Sequence, residues 1–401
     1  MKQRPDWRHV LVALLFLAAI LATAVLPRTD WPMILGTYGL SFGLYLLILG
    51  NRPLRAVRLR YWIMVALLAR VLLLFCFPNL SDDIYRFIWD ADLSLRGINP
   101  YQVIPSKIIP EDSALRLHGI YPALNSPDYH TIYPPLGQGL FALASWIGGL
   151  DWFTFALVLK LFYLAVECLT LRLMYLVLKR AGATQTLLVY ALNPLVLVEL
   201  MGNVHLEVLV VLGLVLIIYS LQRNKLSGVV GGFALGIGAK LIPLMLIPLL
   251  IRRLSPRRFV MFLLLLTGIS AVIFLPMLIS DPLQEAGSSL DLYFRKFEFN
   301  ASFYYIARWI GFQLEGYNLI ATTGPLLAGL TVLIVGLLVT LERAPATGNF
   351  SRTALFALTT YLLLATTVHP WYLCPLVALS VFTPYRYPVV WSAMAFLSYA
   401  A

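Results

Sequence analysis

The sequence predicts an all-α polytopic membrane protein, an expectation that rests on its composition, its apolar runs and the placement of its charges. Hydrophobic residues make up 60% of the 401 residues and charged residues only 12%, about half the share of charge that is typical of soluble domains. The formal net charge is +11, but the basic residues form short clusters between apolar runs, as the orientation signals of membrane proteins do. We therefore exclude a soluble globular fold and a nucleic-acid partner.

Apolar runs recur along the whole chain and predict about thirteen transmembrane helices. Several runs are shorter than the roughly 20 residues that cross the hydrocarbon core unaided, so we expect some short or broken helices buried in the bundle. The runs are, in order, 10–26, 33–50, 61–77, 152–178, 187–200, 206–221, 226–239, 241–251, 259–279, 317–341, 353–368, 371–382 and 388–401.

The additional apolar run at 136–149 decides the topology, because counting it as a span inverts the orientation of every later segment. Its length favours an interfacial or re-entrant helix, and this interpretation leaves the main basic clusters together on the cytoplasmic side. We predict a plasma-membrane protein with a cytoplasmic N-terminus and a single domain over 1–401. This domain begins with a helical hairpin over 1–60 and carries two large outer loops with juxtamembrane helices, at 78–135 and 280–316.

The most unusual segment, SDDIYRFIWDAD at 81–92, places four carboxylates directly after an apolar run. Carboxylates are costly beside hydrocarbon, so a cluster at a membrane boundary indicates a polar site at the lipid surface. Asp82 and Asp83 also fit the N-cap of a helix, which is the structural alternative. Asp90 shares a helical face with Asp83, yet it could simply pair with Arg86 four residues earlier.

Further polar residues interrupt apolar runs on the predicted outer side. Lys240 separates two short runs, where its charge could bind a phosphate or reach lipid head groups by snorkelling. Two predicted turns carry histidines beside other polar or aromatic groups, which could bind sugar hydroxyls or a metal; a hydrogen-bonded histidine and an aromatic belt are the alternatives. The residues of these turns are Asn203, His205, Glu207, His369, Trp371 and Tyr372.

Taken together, several short motifs resemble the GT-C superfamily of integral-membrane glycosyltransferases. Within that superfamily, the chain is most similar to bacterial mannosyltransferases that use polyprenyl-phosphate sugars. The resemblance extends over about residues 61–372. An added N-terminal hairpin would explain the extra pair of spans before the first large outer loop (78–135), which we call the acidic loop. The motifs are SDDIYRFIWDAD (81–92), GINPY (97–101), YPPL (133–136), NP (193–194) with Glu199, Asn203 and His205, FEFNAS (297–302) and HPWY (369–372).

The resemblance implies a multi-span enzyme whose first large outer loop supplies an acidic catalytic residue. Such a transfer needs a base for the acceptor hydroxyl and a cationic environment for the leaving phosphate, whose charge rises from about −1 towards −2. Asp83 and Asp82 are the candidates for the base, with Asp83 narrowly favoured. Candidate phosphate-binding residues are Lys240, Arg295, Lys296 and Arg308.

The candidate substrate-binding residues come from the acidic loop, the two turns and the resemblance motifs. They are Arg86, Asp90, Tyr133, Asn203, His205, Glu207, Asn300, His369, Trp371 and Tyr372. Two neighbouring carboxylates could also hold a divalent cation through oxygen ligands, but the sequence does not establish that one is needed.

These residues predict a glycosyltransferase that moves a sugar, mannose by the resemblance, from a polyprenyl-phosphate donor to an acceptor hydroxyl on the extracytoplasmic side. Direct displacement would invert the anomeric carbon. The expected partners are the lipid-linked donor, membrane lipids and a glycan, lipid or protein acceptor. The alternative is a transporter or flippase of lipid-linked sugars, which should place ionisable groups near the bilayer midplane and show paired repeat halves.

Overall fold

The computed structural model describes residues 4–108, 119–149, 151–278, 297–343, 345 and 349–400. Within these ranges the regular secondary structure is helical, and an isolated parallel bridge joins Phe299 to Thr367. The first half contains α1 (Trp7–Val25), α2 (Trp31–Gly50), α3 (Arg52–Ala56), α4 (Leu59–Leu73), α5 (Asp83–Leu95), α6 (Pro105–Ile108), α7 (Pro135–Gly148), α8 (Trp152–Arg180), α9 (Leu188–Ala191) and α10 (Pro194–Val196).

The second half continues with helices that surround several shorter elements of other geometry. It contains α11 (Glu207–Leu221), α12 (Leu226–Ala239), α13 (Pro256–Leu278), α14 (Phe303–Glu315), α15 (Ile320–Leu341), α16 (Phe350–Leu364), α17 (Cys374–Ser380) and α18 (Tyr387–Ala395). A π-helix at Leu197–Gly202 precedes α11, and 3-10 helices occupy Ile242–Leu250, Pro370–Leu373 and Phe396–Ala400.

Within the described residues, five helices are long and apolar enough to cross a membrane, and a sixth span results if one bent pair is counted. The five are α1, α2, α8, α13 and α15, and the pair Thr184–Ala191 and Pro194–Gly202 is bent by 54°. The chain is therefore a helical membrane protein. The other apolar runs form helices that are too short to cross a membrane by this test. The expectation of about thirteen spans therefore remains a prediction.

Close backbone approach holds the centre of the bundle together. α11 packs along α12 and α8, and a Cβ atom added at Gly213 would lie 2.5 Å from the carbonyl oxygen of Gly232 on α12. Small residues at such a crossing let two membrane helices approach until their backbones touch.

Buried charges fix α4, which leads into the acidic loop. The Arg70 guanidinium is buried, lies 2.7 Å from the Glu167 carboxylate of α8 and donates to the carbonyl oxygen of Ala191. Lys160 donates to the carbonyl oxygens of Leu73 and Cys76, which belong to the C-terminal end of α4 and the residues after it. A cation at the carbonyl end of a helix satisfies unpaired acceptors and the helix dipole, so the start of the loop is held firmly.

Candidate active site

The acidic loop enters α5 at Asp83, and its two adjacent carboxylates point to different surroundings. Asp82 occupies the N-cap position but makes no side-chain cap hydrogen bond. The backbone N–H of Asp83 instead donates to the Ser81 hydroxyl at 3.3 Å. The Asp82 carboxylate is half exposed and lies 3.5 Å from the Arg28 guanidinium. Neither carboxylate is therefore used as a helix cap.

The Asp83 carboxylate lies between an amide and an imidazole. The Asn125 side-chain amide donates to Oδ1 at 2.9 Å, and Nδ1 of His205 lies 3.8 Å from Oδ2. The Asp83 side chain is 17% exposed, so it can reach a substrate while most of its surface is covered. No cation lies within ion-pairing distance of this carboxylate among the described residues, apart from any charge on His205 itself.

His205 is presented by an unusual stretch of backbone. The π-helix Leu197–Gly202 ends just before it, and Val204 adopts φ +57°, a left-handed conformation that is a genuine outlier for a β-branched residue. Nε2 of His205 lies 3.3 Å from Oε2 of the fully buried Glu199. Burial lowers the pKa of His205 to about 4, and the nearby Asp83 carboxylate offsets only part of that effect. The imidazole is therefore neutral near pH 7.

Aromatic rings connect His205 to the second histidine turn. The indole of Trp371 stacks on His205 with 3.7 Å between ring centroids and on His369 with 4.4 Å. His369 in turn stacks on Phe299 at 4.9 Å. Two imidazoles thus stack on Trp371, and only 8% of this residue is exposed. Little of the indole is open to a substrate in this arrangement.

Lys240 lies at the opposite end of the same group of residues. Its ammonium group pairs with the Glu207 carboxylate and sits 4.1 Å above the ring centroid of Tyr372, whose ring meets His369 edge-on at 5.3 Å. The Lys240 side chain is 19% exposed, whereas Glu207 is buried and its Oε2 has no hydrogen-bond partner among the described residues. Glu207, Lys240, Tyr361 and Tyr372 are the polar residues that line a narrow, mostly apolar cavity beside the pair.

Arg86 and Asp90 form a buried ion pair inside the acidic loop. The Arg86 guanidinium donates to Oδ1 of Asp90 at 2.8 Å, and the hydroxyl of Thr131 and the amide of Gln138 donate to Oδ2. Arg86 also donates to the carbonyl oxygens of Ser126 and Tyr129. Both charges are thus engaged with the protein, in agreement with the alternative of an internal pair. We assign this pair the role of fixing α5 against the rest of the loop.

The remaining substrate-binding candidates are Asn203, Asn300 and Tyr133. Asn203 donates from its amide to Glu199 at 3.1 Å, the same carboxylate that faces His205. Asn300, at φ +47°, donates to the carbonyl oxygen of Val368 beside His369. Tyr133 packs edge-on against Phe87 within the acidic loop.

Of the three basic residues predicted to bind phosphate in the second outer loop, Arg308 is the one that lies within the described residues. The Arg308 guanidinium lies 3.0 Å from the Glu298 carboxylate and stacks near Phe312. Arg295 and Lys296 fall outside the described residues. In the described part of the chain, no group of three or more His, Cys, Asp or Glu side chains could hold a metal ion, so the divalent cation considered above remains an open prediction.

Sequence reasoning missed two contributors to this site. Asn125 lies 42 residues after Asp83 in irregular structure, and Tyr399, near the C-terminal end, donates its hydroxyl to Oε1 of Glu199 at 2.9 Å. Neither residue interrupts a periodic pattern. No signal in the sequence could have placed either one beside its partner.

Comparison with known proteins gives a match to a family. Residues 10–254 match the model of the MptA_B family, described as alpha-(1->6)-mannopyranosyltransferase, N-terminal domain. The match covers more than half of the chain and includes Asp83, His205 and Lys240. No curated protein and no solved structure matches the chain.

Proposed function

Because the chain belongs to the alpha-(1->6)-mannopyranosyltransferase family, and is thus a membrane glycosyltransferase of a mannosyltransferase family, we propose that it transfers mannose from a polyprenyl-phosphate donor. The acceptor is a hydroxyl group on the extracytoplasmic side, and the product carries an α-(1→6) bond. Direct displacement inverts the anomeric carbon, so an α product requires a β-linked donor.

One observation carries this proposal: an unbroken series of contacts joins the carboxylate of Asp83 to the ammonium group of Lys240. The series passes through His205, Trp371, His369 and Tyr372. These residues come from segments up to 289 positions apart (83 to 372) in the sequence. Displacement at a sugar phosphodiester needs a base and a phosphate-binding cation that act on one substrate. The carboxylate at one end of this series and the ammonium group at the other are our candidates for these two roles.

Asp83 is the proposed general base. It takes the proton of the acceptor hydroxyl while the acceptor oxygen attacks the anomeric carbon and the bond to phosphate oxygen breaks. Its amide and imidazole neighbours leave the carboxylate without a neutralising guanidinium, whereas Asp82 lies 3.5 Å from Arg28. An ion-paired carboxylate is a weaker proton acceptor, which favours Asp83.

Lys240 is the proposed partner of the donor phosphate. Its ammonium group already pairs with Glu207, and an incoming phosphate would exchange with or share this contact. The cavity beside it is narrow and mostly apolar. The stabilisation increases as the leaving phosphate gains charge, which lowers the barrier rather than only tightening donor binding.

The extracytoplasmic location is proposed from the distribution of basic residues. With the helix Pro135–Gly148 at the interface rather than across the membrane, the clusters at 52–60, 179–180 and 252–258 share the cytoplasmic side. The acidic loop and both histidine turns then face outward. A plasma-membrane enzyme of this orientation draws its donor from the outer leaflet.

The test uses purified protein in vesicles that contain radiolabelled polyprenyl-phosphate mannose and a soluble α-mannoside acceptor. We expect an acceptor-dependent α-(1→6) product, loss of at least about 1,000-fold in kcat for Asp83→Asn, and activity within about fivefold of the parent for the matched variant Asp82→Asn. The donor assignment fails if the parent protein transfers mannose only from a sugar nucleotide. Full activity of Asp83→Asn would remove Asp83 from the reaction.

An assay in the same vesicles distinguishes the transferase from the transporter alternative. A flippase would move labelled donor between leaflets without any acceptor and without release of mannose from the lipid. Transfer that requires an acceptor, with no leaflet exchange above that of empty vesicles, supports the transferase.

A further inference from the structure

Three independent features meet in the short segment between Glu199 and His205. A carboxylate is buried completely, a π-helix replaces regular α-helix, and Val204 holds a strained backbone conformation. π-helical turns and strained residues persist where surrounding structure imposes them, and they concentrate at functional sites. This unusual backbone places the imidazole of His205 between the carboxylates of Glu199 and Asp83.

The two ring nitrogens of His205 face different acids. Nε2 lies 3.3 Å from Oε2 of Glu199, without an aligned hydrogen bond, and Nδ1 lies 3.8 Å from Oδ2 of Asp83. The Glu199 carboxylate is itself held by the amide of Asn203 and the hydroxyl of Tyr399. Glu199 is thus oriented by two donors, and its Oε2 lies 3.3 Å from Nε2.

A neutral imidazole carries its proton on only one nitrogen, and its neighbours decide which one. Nε2 is the ring nitrogen that lies nearer to a carboxylate, and that carboxylate is fully buried, so electrostatic attraction favours the proton on Nε2. Nδ1 then presents a lone pair to Asp83. An ionised Asp83 cannot donate to that lone pair, so the 3.8 Å contact is not a hydrogen bond before reaction.

We propose that Glu199 is a positioning residue that holds His205 in its Nε2–H tautomer, so that Nδ1 accepts a hydrogen bond from the Asp83 carboxyl only after Asp83 has taken the acceptor's proton. This proposal rests on the proposed function, in which Asp83 is the base. No proton leaves Asp83 during the step. The acceptor O–H bond breaks, and the acceptor oxygen forms the new bond to the anomeric carbon. The proton forms the new carboxyl O–H of Asp83, which turns to Nδ1, and the electron pair of the cleaved C–O bond departs with the phosphate.

The imidazole of His205 stabilises the protonated form of Asp83, which exists only once the reaction is under way, and not the ionised form of the free site. A hydrogen bond that appears only as the carboxyl becomes protonated lowers the barrier without strengthening substrate binding. The two groups must approach by roughly 1 Å to reach hydrogen-bond distance. A rotation of the Asp83 carboxyl about the hydrogen bond that Asn125 donates to Oδ1 would bring Oδ2 closer to Nδ1.

The kinetic test compares Glu199→Gln, His205→Leu and His205→Asn with the parent in the vesicle assay. We expect kcat to fall about 10- to 100-fold in Glu199→Gln and His205→Leu, with the KM for the donor unchanged within about twofold. In His205→Asn the amide oxygen of the introduced side chain can replace Nδ1 as an acceptor. This variant should therefore exceed His205→Leu in kcat by at least about fivefold.

A purely structural role predicts the opposite order, because leucine fills a buried site better than asparagine does. The proposal is overturned if His205→Leu matches or exceeds His205→Asn in kcat, or if the losses appear in KM alone. Tyr399→Phe is a milder variant that removes one donor to Glu199 and nearly preserves shape; it keeps the proposal testable if Glu199→Gln does not fold. It should lower kcat about threefold to tenfold, and parental kcat in a folded Tyr399→Phe protein counts against the proposal.

A second measurement needs no catalysis. The nitrogen chemical shifts of the 15N-histidine-labelled protein, with His205→Asn used for assignment, report which ring nitrogen carries the proton. We expect the Nε2–H tautomer in the parent and a mixture in Glu199→Gln. A proton on Nδ1 in the parent would overturn the proposal, whereas failure of the proposed function would appear separately as absence of transfer or as activity of Asp83→Asn.

Discussion

Replacement of Lys240 by glutamine tests the proposed phosphate contact most directly. The Lys240 side chain is 19% exposed, and its ammonium group pairs with Glu207 and lies over the ring of Tyr372. Glutamine preserves much of the length of the side chain and can still donate to Glu207. The variant therefore removes the charge and leaves a hydrogen-bonding partner for the buried carboxylate.

The magnitude follows from the charge that develops on the leaving phosphate. One unit of charge about 4 Å from an ammonium group is worth about 4 kcal/mol at an effective dielectric constant of about 20. Glu207 already offsets part of the lysine's charge, so the net stabilisation falls to about 2 to 4 kcal/mol. Because about 1.36 kcal/mol corresponds to a factor of ten, Lys240→Gln should lower kcat/KM about 30- to 1,000-fold.

The assay measures initial rates of mannose transfer as the polyprenyl-phosphate mannose concentration is varied. Glu207→Gln is the matched control, since it frees Lys240 from its carboxylate and should lower the KM for the donor about threefold to tenfold. Arg308→Gln is the second control, because that exposed guanidinium is already paired with Glu298 and its loss should change kcat/KM less than about threefold. If folded Lys240→Gln retained kcat/KM within about threefold of the parent, Lys240 would not bind the leaving phosphate.

Two further predictions concern stability and are checked by thermal unfolding in detergent with intrinsic fluorescence. Asp90→Asn should lower the free energy of unfolding by about 3 to 5 kcal/mol, because it leaves the buried Arg86 charge without its carboxylate; Asp92→Asn, whose partner is partly exposed, should lose about 1 kcal/mol, and equal losses would contradict the assignment. Gly213→Ala should cost about 1 to 3 kcal/mol, because its Cβ would lie 2.5 Å from a carbonyl oxygen of α12. Gly336→Ala, with open space around it, should be neutral.

Much of the candidate site could be predicted from where polar residues break apolar runs. Asp83, His205, Lys240 and His369 each stand out because an ionisable group beside hydrocarbon is costly and needs a reason. The structure brings these four into one series of contacts. The catalytic roles assigned to them remain proposals for the experiments above.

The partners of these residues could not be predicted. Asn125 and Tyr399 are ordinary residues in their own segments, and they matter only because the fold brings them to Asp83 and Glu199. The sequence offered sugar stacking and an aromatic belt as roles for Trp371, and it gave no sign that two imidazoles stack on its indole. Sequence spacing carries no information about such ring-on-ring contacts between distant turns.

The number of membrane spans was also predictable only in part from the sequence. Hydropathy measures how apolar a run is, whereas a helix also needs an uninterrupted backbone. Pro248 lies within the 3-10 helix Ile242–Leu250, and the break before Pro194 produces a 54° bend in the paired helices. Apolar runs therefore outnumber the helices, among the described residues, that are long enough to cross a bilayer alone.

The sequence by itself determined that this chain is a helical membrane protein with an acidic segment at a membrane boundary, because transfer of apolar side chains from water and the cost of charge beside lipid depend on local composition. Only the tertiary structure decided which carboxylate faces an imidazole and which meets a surface arginine. Asp82 and Asp83 are adjacent and chemically identical, yet the first meets Arg28 and the second meets His205, both from distant parts of the chain. Geometry of that kind is set by the packing of the whole bundle.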